Sequence, residues 1–221
     1  AKVRALRRMW AKMAKEHFDA KDEKSCQLLI AVHTSGRVMT YQQPLNNIAR
    51  SAIQTLAGAM VGCTALDNAT LDNAHAEPSA LAALMSLNTQ HIVAEETGVA
   101  DVVDPLAGSY FVESLTNEVE AAGYRVLEEI DAQGGLVAAI EQGFIQAMMQ
   151  EEANLKFRQM NDGERLVVGV NHLTIPEEEE AFEIPVQEVE ASDSEAIAKR
   201  MEEWKKTRDT AVIQAALKRL Y

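Results

Sequence analysis

Little in this sequence favours export, membrane insertion or nucleic-acid binding. Only two cysteines occur in 221 residues, Cys26 and Cys63. Two are too few for a disulfide framework or a zinc set, and both are expected as reduced thiols in a cytoplasmic protein. No apolar run approaches the roughly 20 residues of a membrane span. The opening Ala1-Lys2-Val3-Arg4-Ala5-Leu6-Arg7-Arg8 is basic but lacks the apolar stretch of an export signal. Positive charge is scarce too: 21 Lys and Arg stand against 34 Asp and Glu, a net charge of −13. Such a chain has no cationic surplus with which to displace counterions along phosphates, so no nucleic-acid partner is expected. A Gly-rich phosphate loop and a serine nucleophile elbow are both missing. What remains, 47% hydrophobic and 25% charged, is an acidic, soluble α/β chain.

Within it, hydrophobic spacing alternates between two periods. Leu6, Met9, Trp10, Met13 and Phe18 recur at helical spacing over 3–18, which predicts an amphipathic helix. Cys26 to Val32 is a short apolar run of strand length, as a sheet buried on both faces requires, and His33-Thr34-Ser35-Gly36 follows it. Residues 46–61 read as a helix with Ile48, Ala52, Leu56 and Met60 on one stripe, and Gly62 as the stop. A weaker strand, 63–66, precedes the polar loop Asp67 to Asn73; a long helix then covers about 79–97. This order of helix, strand, helix, strand, helix predicts parallel βα units. Two or three strands leave edges that need covering, so the chain reads as part of a larger fold.

The second half is expected to be mostly helical. One helix is predicted over 113–133, closed by Gly134-Gly135, and one or two more over 136–157. A short late strand is expected at Leu166-Val167-Val168-Gly169-Val170. Residues 176–191, with Glu177-Glu178-Glu179-Glu180, read as a solvated linker or extended arm. A single amphipathic helix over 194–220 closes the chain, anchored by Ile197, Met201, Trp204 and Leu217.

Ligands of parallel α/β folds lie at the carboxyl ends of strands, which makes His33 the best-placed polar residue. Its imidazole could donate a hydrogen bond or exchange a proton near neutrality, or simply satisfy backbone groups at the strand end. Asp67, Asn68, Asp72, Asn73 and His75 form a second polar cluster. Their spacing matches no calcium loop or zinc helix, and turns and helix caps account for them equally. Asn46 or Asn47 is a candidate cap for the helix behind Gln42-Gln43-Pro44-Leu45. His17, His91 and His172 read as surface or packing residues, and Met148-Met149 as core filler.

Six ordered blocks between about Arg7 and His172 carry a family resemblance. They are His33-Thr34-Ser35-Gly36, Gln42-Gln43-Pro44-Leu45-Asn46-Asn47-Ile48-Ala49-Arg50 and Asn88-Thr89-Gln90, then Glu95-Glu96-Thr97-Gly98-Val99, Val103-Asp104-Pro105-Leu106-Ala107-Gly108-Ser109-Tyr110 and Val168-Gly169-Val170-Asn171. Together they resemble the carboxyl-terminal part of the catalytic subunit of adenosylcobalamin-dependent acyl-CoA mutases, the methylmalonyl-CoA mutase family. The resemblance implies a (β/α)8 barrel that threads a CoA ester through its centre and is capped by a corrinoid-binding domain. The cofactor it implies, adenosylcobalamin, starts a radical rearrangement of the acyl carbon skeleton. Residues 1–110 would be the last βα units of this TIM-type barrel, 111–172 a helical region with the late strand, and 173–221 the acidic linker and terminal helix. A partner chain would complete the barrel. The corrinoid would be held mainly by a separate domain or subunit, because its loop-histidine signature is missing here.

The same resemblance locates the departures. Where methylmalonyl-type members read His-Cys-Gln before Thr-Ser-Gly, this chain has Ala31-Val32-His33. Where they read Gln-Ser-Leu-His-Thr-Asn-x-Leu-Asp-Glu, it has Thr64 through Asn73. The adenosine-facing Gln, Asn and Glu therefore correspond to His33, Ala69 and Asn73, and Thr64 replaces a glutamine near the acyl pocket. Ala69 cannot replace an amide, and Asn73 cannot accept as a carboxylate does. The expected site is accordingly His33, Thr64 and Asn73, facing substrate and adenosyl group, with His33 catalytic and no metal ligand. A non-catalytic scaffold subunit and a piece of a longer mutase are the alternative readings.

Overall fold

Helices carry most of the chain, around one small sheet. The computed structural model describes residues 1–176, 179, 184 and 191–220. They fall into two units, Ala1–Pro185 and Val186–Tyr221. The first holds α1 (Lys2–Glu16), β1 (Ala31–His33), α2 (Asn46–Met60), β2 (Ala65–Asp67), α3 (Ala80–Glu96), α4 (Tyr110–Ala132), α5 (Leu136–Glu141) and α6 (Phe144–Asn161); the second holds α7 (Ala191–Thr207) and α8 (Thr210–Leu220).

Local chemistry sets several of these boundaries. The Ser79 hydroxyl accepts from the Ala82 N–H at 3.2 Å and so caps α3, and Gly98 follows that helix with φ of 68°, a conformation cheap only for glycine. Ser109 plays the same capping part for α4. Gly143, with φ of 78°, separates α5 from α6.

β1 and β2 are parallel neighbours, with Ala31 opposite Ala65, Val32 opposite Leu66 and His33 opposite Asp67. Because side chains alternate across a strand, Val32 and Leu66 share one face and the other four residues share the opposite one. Val32 and Leu66 meet α2 at Gly58, where an added Cβ would lie 2.7 Å from Leu66 Cδ1 and 3.3 Å from Val32 Cγ1. Glycine is needed there for close approach of helix to sheet. The opposite face is open: Ala31, His33, Ala65 and Asp67 are all exposed.

On the other side of the unit α1 packs along α4. Ala5 and Ala14 are buried in α1, and Met9 lies against Gly123, where a Cβ would come within 2.9 Å of Met9 Cε. The guanidinium of Arg7 donates to the carbonyls of Val61 and Gly62 just past the end of α2, each at 2.5 Å. A cation placed there also complements the helix dipole.

Several expectations are corrected. β1 keeps only Ala31 and Val32 of the apolar run and adds His33, while Glu23–Cys26 is a 3-10 turn; a strand persists only where it has a ladder partner, and β2 covers only that stretch. The buried face of α2 is Asn47, Ser51, Thr55 and Gly58, not the apolar stripe, because its neighbours are polar loops. In α1 the large side chains Leu6 and Trp10 are exposed while Ala5 and Ala14 are buried, and Phe18, exposed too, lies beyond the end of the helix. The late strand at Leu166–Val170 is a turn closed by one bridge, Val168 to His172, since Gly169 takes φ of 84°. Met149 is exposed and fills no core. The terminal helix breaks in two where the Asp209 carboxylate accepts from the Ala211 N–H at 2.8 Å. Ile197, Met201, Trp204 and Leu217 are exposed. The acidic arm expected over 176–191 lies outside the described residues apart from Pro176, Glu179, Ile184 and Ala191. Among the described residues no helix is long and apolar enough to cross a membrane.

Candidate functional site at the strand ends

The chain turns away from each strand over a buried polar layer. Thr34, Asn68, Ser51 and Thr55 are all buried. Asn68 Oδ1 accepts from three hydroxyls, those of Ser51 at 2.6 Å, Thr55 at 3.0 Å and Thr34 at 3.2 Å. The Ala69 N–H donates to Thr34 Oγ1 at 2.7 Å. Ser86 of α3 closes the layer, its hydroxyl donating to the Asn68 carbonyl at 2.8 Å. One asparagine thus ties the loop after β2 to the loop after β1 and to both neighbouring helices. A buried polar network of this kind fixes geometry when every member is paired.

A second buried asparagine holds the next stretch of loop. Asn47 is fully buried; its amide donates to the carbonyls of Thr40 and Leu71 at 2.9 and 2.8 Å, and its oxygen accepts from the Thr40 N–H and from Arg50. Neither Asn46 nor Asn47 is the expected cap, because Leu45 is the N-cap and makes no side-chain bond. Burial holds the Arg50 guanidinium below its usual value, and the same group donates to the Val168 carbonyl at 2.7 Å. Gln43 donates to the Leu173 carbonyl at 3.0 Å. Two of the ordered sequence blocks, 42–50 and 168–171, therefore form one contact. The signal for it was the amide-rich spacing of Gln43, Asn47 and Arg50.

On this base stand the expected site residues. His33 and Asp67 project from the open face at the carboxyl ends of β1 and β2, with Nδ1 of the ring 2.6 Å from the Asp67 carboxylate. Their side chains are 73% and 71% exposed, so the two groups are available to a ligand. Asn73 is exposed, and its side chain rests on Gly36, where an added Cβ would lie 2.8 Å from Asn73 Oδ1. That contact joins the two strand-end loops and leaves no room for a side chain at position 36. Thr64 stands apart: it precedes β2 at the opposite end of the strand, about 10 Å from Asp67 at the rise of an extended chain, with its N–H donating to the Ile30 carbonyl at 2.8 Å. The loop over Asn73–Pro78 lines a cleft of about 500 Å³.

The rest of the polar cluster does structural work. Asp72 is buried and accepts from the Ser79 N–H at 2.9 Å. His75 stacks on Tyr41 with ring centroids 4.0 Å apart. No group of three His, Cys, Asp or Glu side chains among the described residues could hold a metal. His17, His91 and His172 are exposed, as expected. Asp67 is the residue whose pairing sequence reasoning missed; its position one register step from His33 becomes visible only when the strands are aligned.

In open parallel α/β sheets the carboxyl ends of the strands are where ligands bind. Comparison with known proteins gives the family. The family model for methylmalonyl-CoA mutase matches residues 1–221, and the chain belongs to that family. It is 38% identical over 220 residues to the 2-hydroxyisobutanoyl-CoA mutase large subunit of Aquincola tertiaricarbonis, covering all of this chain and 39% of that protein. It is 37% identical over 220 residues to the methylmalonyl-CoA mutase of Cereibacter sphaeroides, covering all of this chain and 31% of that protein. The methylmalonyl-CoA mutase large subunit of Porphyromonas gingivalis is 36% identical over 221 residues, covering 98% of this chain and 30% of that protein. The chain thus spans about a third of the length of the curated relatives it matches.

Proposed function

We propose that this chain forms part of an adenosylcobalamin-dependent acyl-CoA mutase, an isomerase whose barrel is completed by another chain. The observation that carries this reading is the open sheet face: Val32 and Leu66 pack on α2, while Ala31, His33, Ala65 and Asp67 are exposed. In a closed (β/α)8 barrel that face is the interior. Residues 1–110 are then the last βα units, 111–172 the helical region beside them, and 173–221 the arm and terminal helices. His33 and Asn73 meet the substrate and adenosyl group at the strand ends. Thr64, at the other end of β2, meets the acyl-CoA deeper along the axis.

The donor set fits the nucleoside end of the cofactor. The Asn73 amide resting on Gly36 and the His33 ring beside the Asp67 carboxylate offer hydrogen-bonding partners to a ribose and its base. The corrin end is left to a separate corrinoid-binding domain or subunit, the second partner. When bound, the cofactor supplies the radical that starts the rearrangement. The residues of this chain orient the reacting groups and exclude water. The two free cysteines suit a reducing cytoplasm.

A second reading, a non-catalytic interaction subunit, is supported by Ala69. It occupies the position of the family's adenosine-facing asparagine, is buried and offers no amide. Affinity capture of the tagged chain, with a visible spectrum of the eluate and an acyl-CoA isomerisation assay, tests the two. Recovery of a corrinoid protein and a chain bearing the earlier strands, with turnover lost in His33→Ala, supports the mutase. The same complex with unchanged turnover in His33→Ala supports the interaction subunit, and a chain that elutes alone and colourless overturns both.

A further inference from the structure

Beyond His33, the open face contains a residue with a role of its own. We propose that Asp67 is a positioning residue: it holds the proton of the His33 ring on Nδ1, so that Nε2 is an acceptor for a hydroxyl of the ligand. The inference rests on reading the open sheet face as the ligand-facing one.

The argument starts from register. His33 and Asp67 are opposite each other on adjacent parallel strands, roughly 4.8 Å apart at the backbone, and both project from the same face. Nδ1 and the carboxylate oxygen lie 2.6 Å apart. At that distance an unprotonated Nδ1 would set its lone pair against a carboxylate oxygen, so the contact requires a proton on Nδ1. In a neutral imidazole only one nitrogen carries a proton, and Nε2 is then a bare acceptor on the far side of the ring. The next residues along the strands on the same face are Ala31 and Ala65, also opposite each other, so the pair is flanked by two methyl groups on the open face.

The chemistry of the occupant follows. A neutral imidazole beside a carboxylate carries a net charge of −1, which repels an anionic group, and the repulsion grows when a ligand displaces water and lowers the local dielectric. An acceptor nitrogen needs a donor. An uncharged hydroxyl meets both demands. It could come from the ribose of the nucleoside or from a hydroxylated acyl group.

Long-range ¹H–¹⁵N spectra of the ¹⁵N-labelled chain at about pH 8, well above the ordinary imidazole value of ~6.5, read the tautomer directly. The wild type is expected with Nδ1 protonated, Asp67→Asn with the proton moved to Nε2, and Asp67→Glu with the wild-type pattern restored at least in part. Amide spectra establish that each variant is folded. A wild type already protonated on Nε2, or an Asp67→Asn spectrum identical to it, overturns the positioning role. Titration then uses 5′-deoxyadenosine, 2-hydroxyisobutanoyl-CoA, isobutanoyl-CoA and methylmalonyl-CoA. Displacement of the Nε2 resonance by the nucleoside alone, or by the hydroxylated thioester but not its unhydroxylated or carboxylated counterparts, identifies the source of the hydroxyl. An equal response to isobutanoyl- or methylmalonyl-CoA, or none to any probe, overturns the hydroxyl assignment. Loss of the mutase reading in the capture experiment leaves the tautomer result where it is, so the two failures are separable.

Discussion

Two regions of the first unit bury polar groups in opposite ways. Between α2, α3 and the strand-end loops the buried groups are neutral: Asn47, Ser51, Thr55, Thr34 and Asn68 bond one another and the backbone. Along α1 and α4 the buried polar group is the Glu120 carboxylate, and its partners are part-exposed cations: Arg8 and Lys12 converge on it at 2.8 and 2.6 Å, while Arg4 reaches Glu113 and, before α4, Asp104. The neutral layer holds a loop in one place, because each amide has few geometries in which all its bonds are made. The ionic seam joins two helix surfaces and tolerates sliding, because long side chains in partial solvent interact weakly and with little directional demand. The neutral layer ties together the two strand-end loops that carry the candidate site.

The comparison breaks most decisively at Asn68. Asn68→Ala removes the acceptor shared by three hydroxyls, of which Ser51 alone retains another in the Ala69 carbonyl, and is expected to cost about 3 kcal/mol, measured by urea unfolding of the chain. A loss under about 1 kcal/mol would mean that the neutral layer does not fix the loops. The next largest effect is at the contact of helix and sheet. Gly58→Val forces Leu66 and Val32 away from α2 and is expected to cost about 2 kcal/mol by the same measurement; an unchanged midpoint would contradict the close packing of α2 on the sheet.

The ionic seam gives a smaller effect with a distinct signature. Glu120 holds the Lys12 ammonium above the ordinary 10.5, chiefly through their hydrogen bond. A raised value in the folded state gives stability that is complete below about 10.5 and lost as pH rises through the folded value. Glu120→Gln is therefore expected to lower the thermal midpoint at pH 8 modestly and to remove this alkaline loss. The loss should also shrink with added salt in the wild type. Identical alkaline profiles for variant and wild type would remove the seam from the stability of the unit. Smallest of all is His33→Ala. The side chain is exposed, so its removal should shift stability by no more than about 0.5 kcal/mol, whatever it does to turnover in the assembled enzyme. A larger shift would make His33 a structural residue.

Much of the fold was legible along the chain. The helices over 46–60 and 80–96 and the βα rhythm followed from spacing, glycine stops and Ser79, because these signals act within a few residues. The family was legible too, because the identity and order of the six blocks are properties of the chain itself. Other features were not legible. Asn47, Ser51 and Thr55 lie at i, i+4 and i+8 and look like the solvent stripe of α2, yet they are its buried face. Binary patterning fails there because the surface opposite is a pair of polar loops rather than an apolar sheet. Thr64 was expected to face one site with His33, yet the strand read over 63–66 is Ala65–Asp67, so Thr64 precedes β2 while His33 ends β1.

By itself the sequence determined the acidic α/β character of the chain, its helices, its family and the departures at positions 33, 64, 69 and 73. Those depend on composition, local propensity and the order of blocks. The tertiary structure decided which residues meet: His33 with Asp67, Asn73 with Gly36, Asn68 with Ser51, Thr55 and Ser86. Such pairings depend on strand register and helix rotation: a shift of one residue carries a strand side chain to the opposite face and turns a helical one by about 100°.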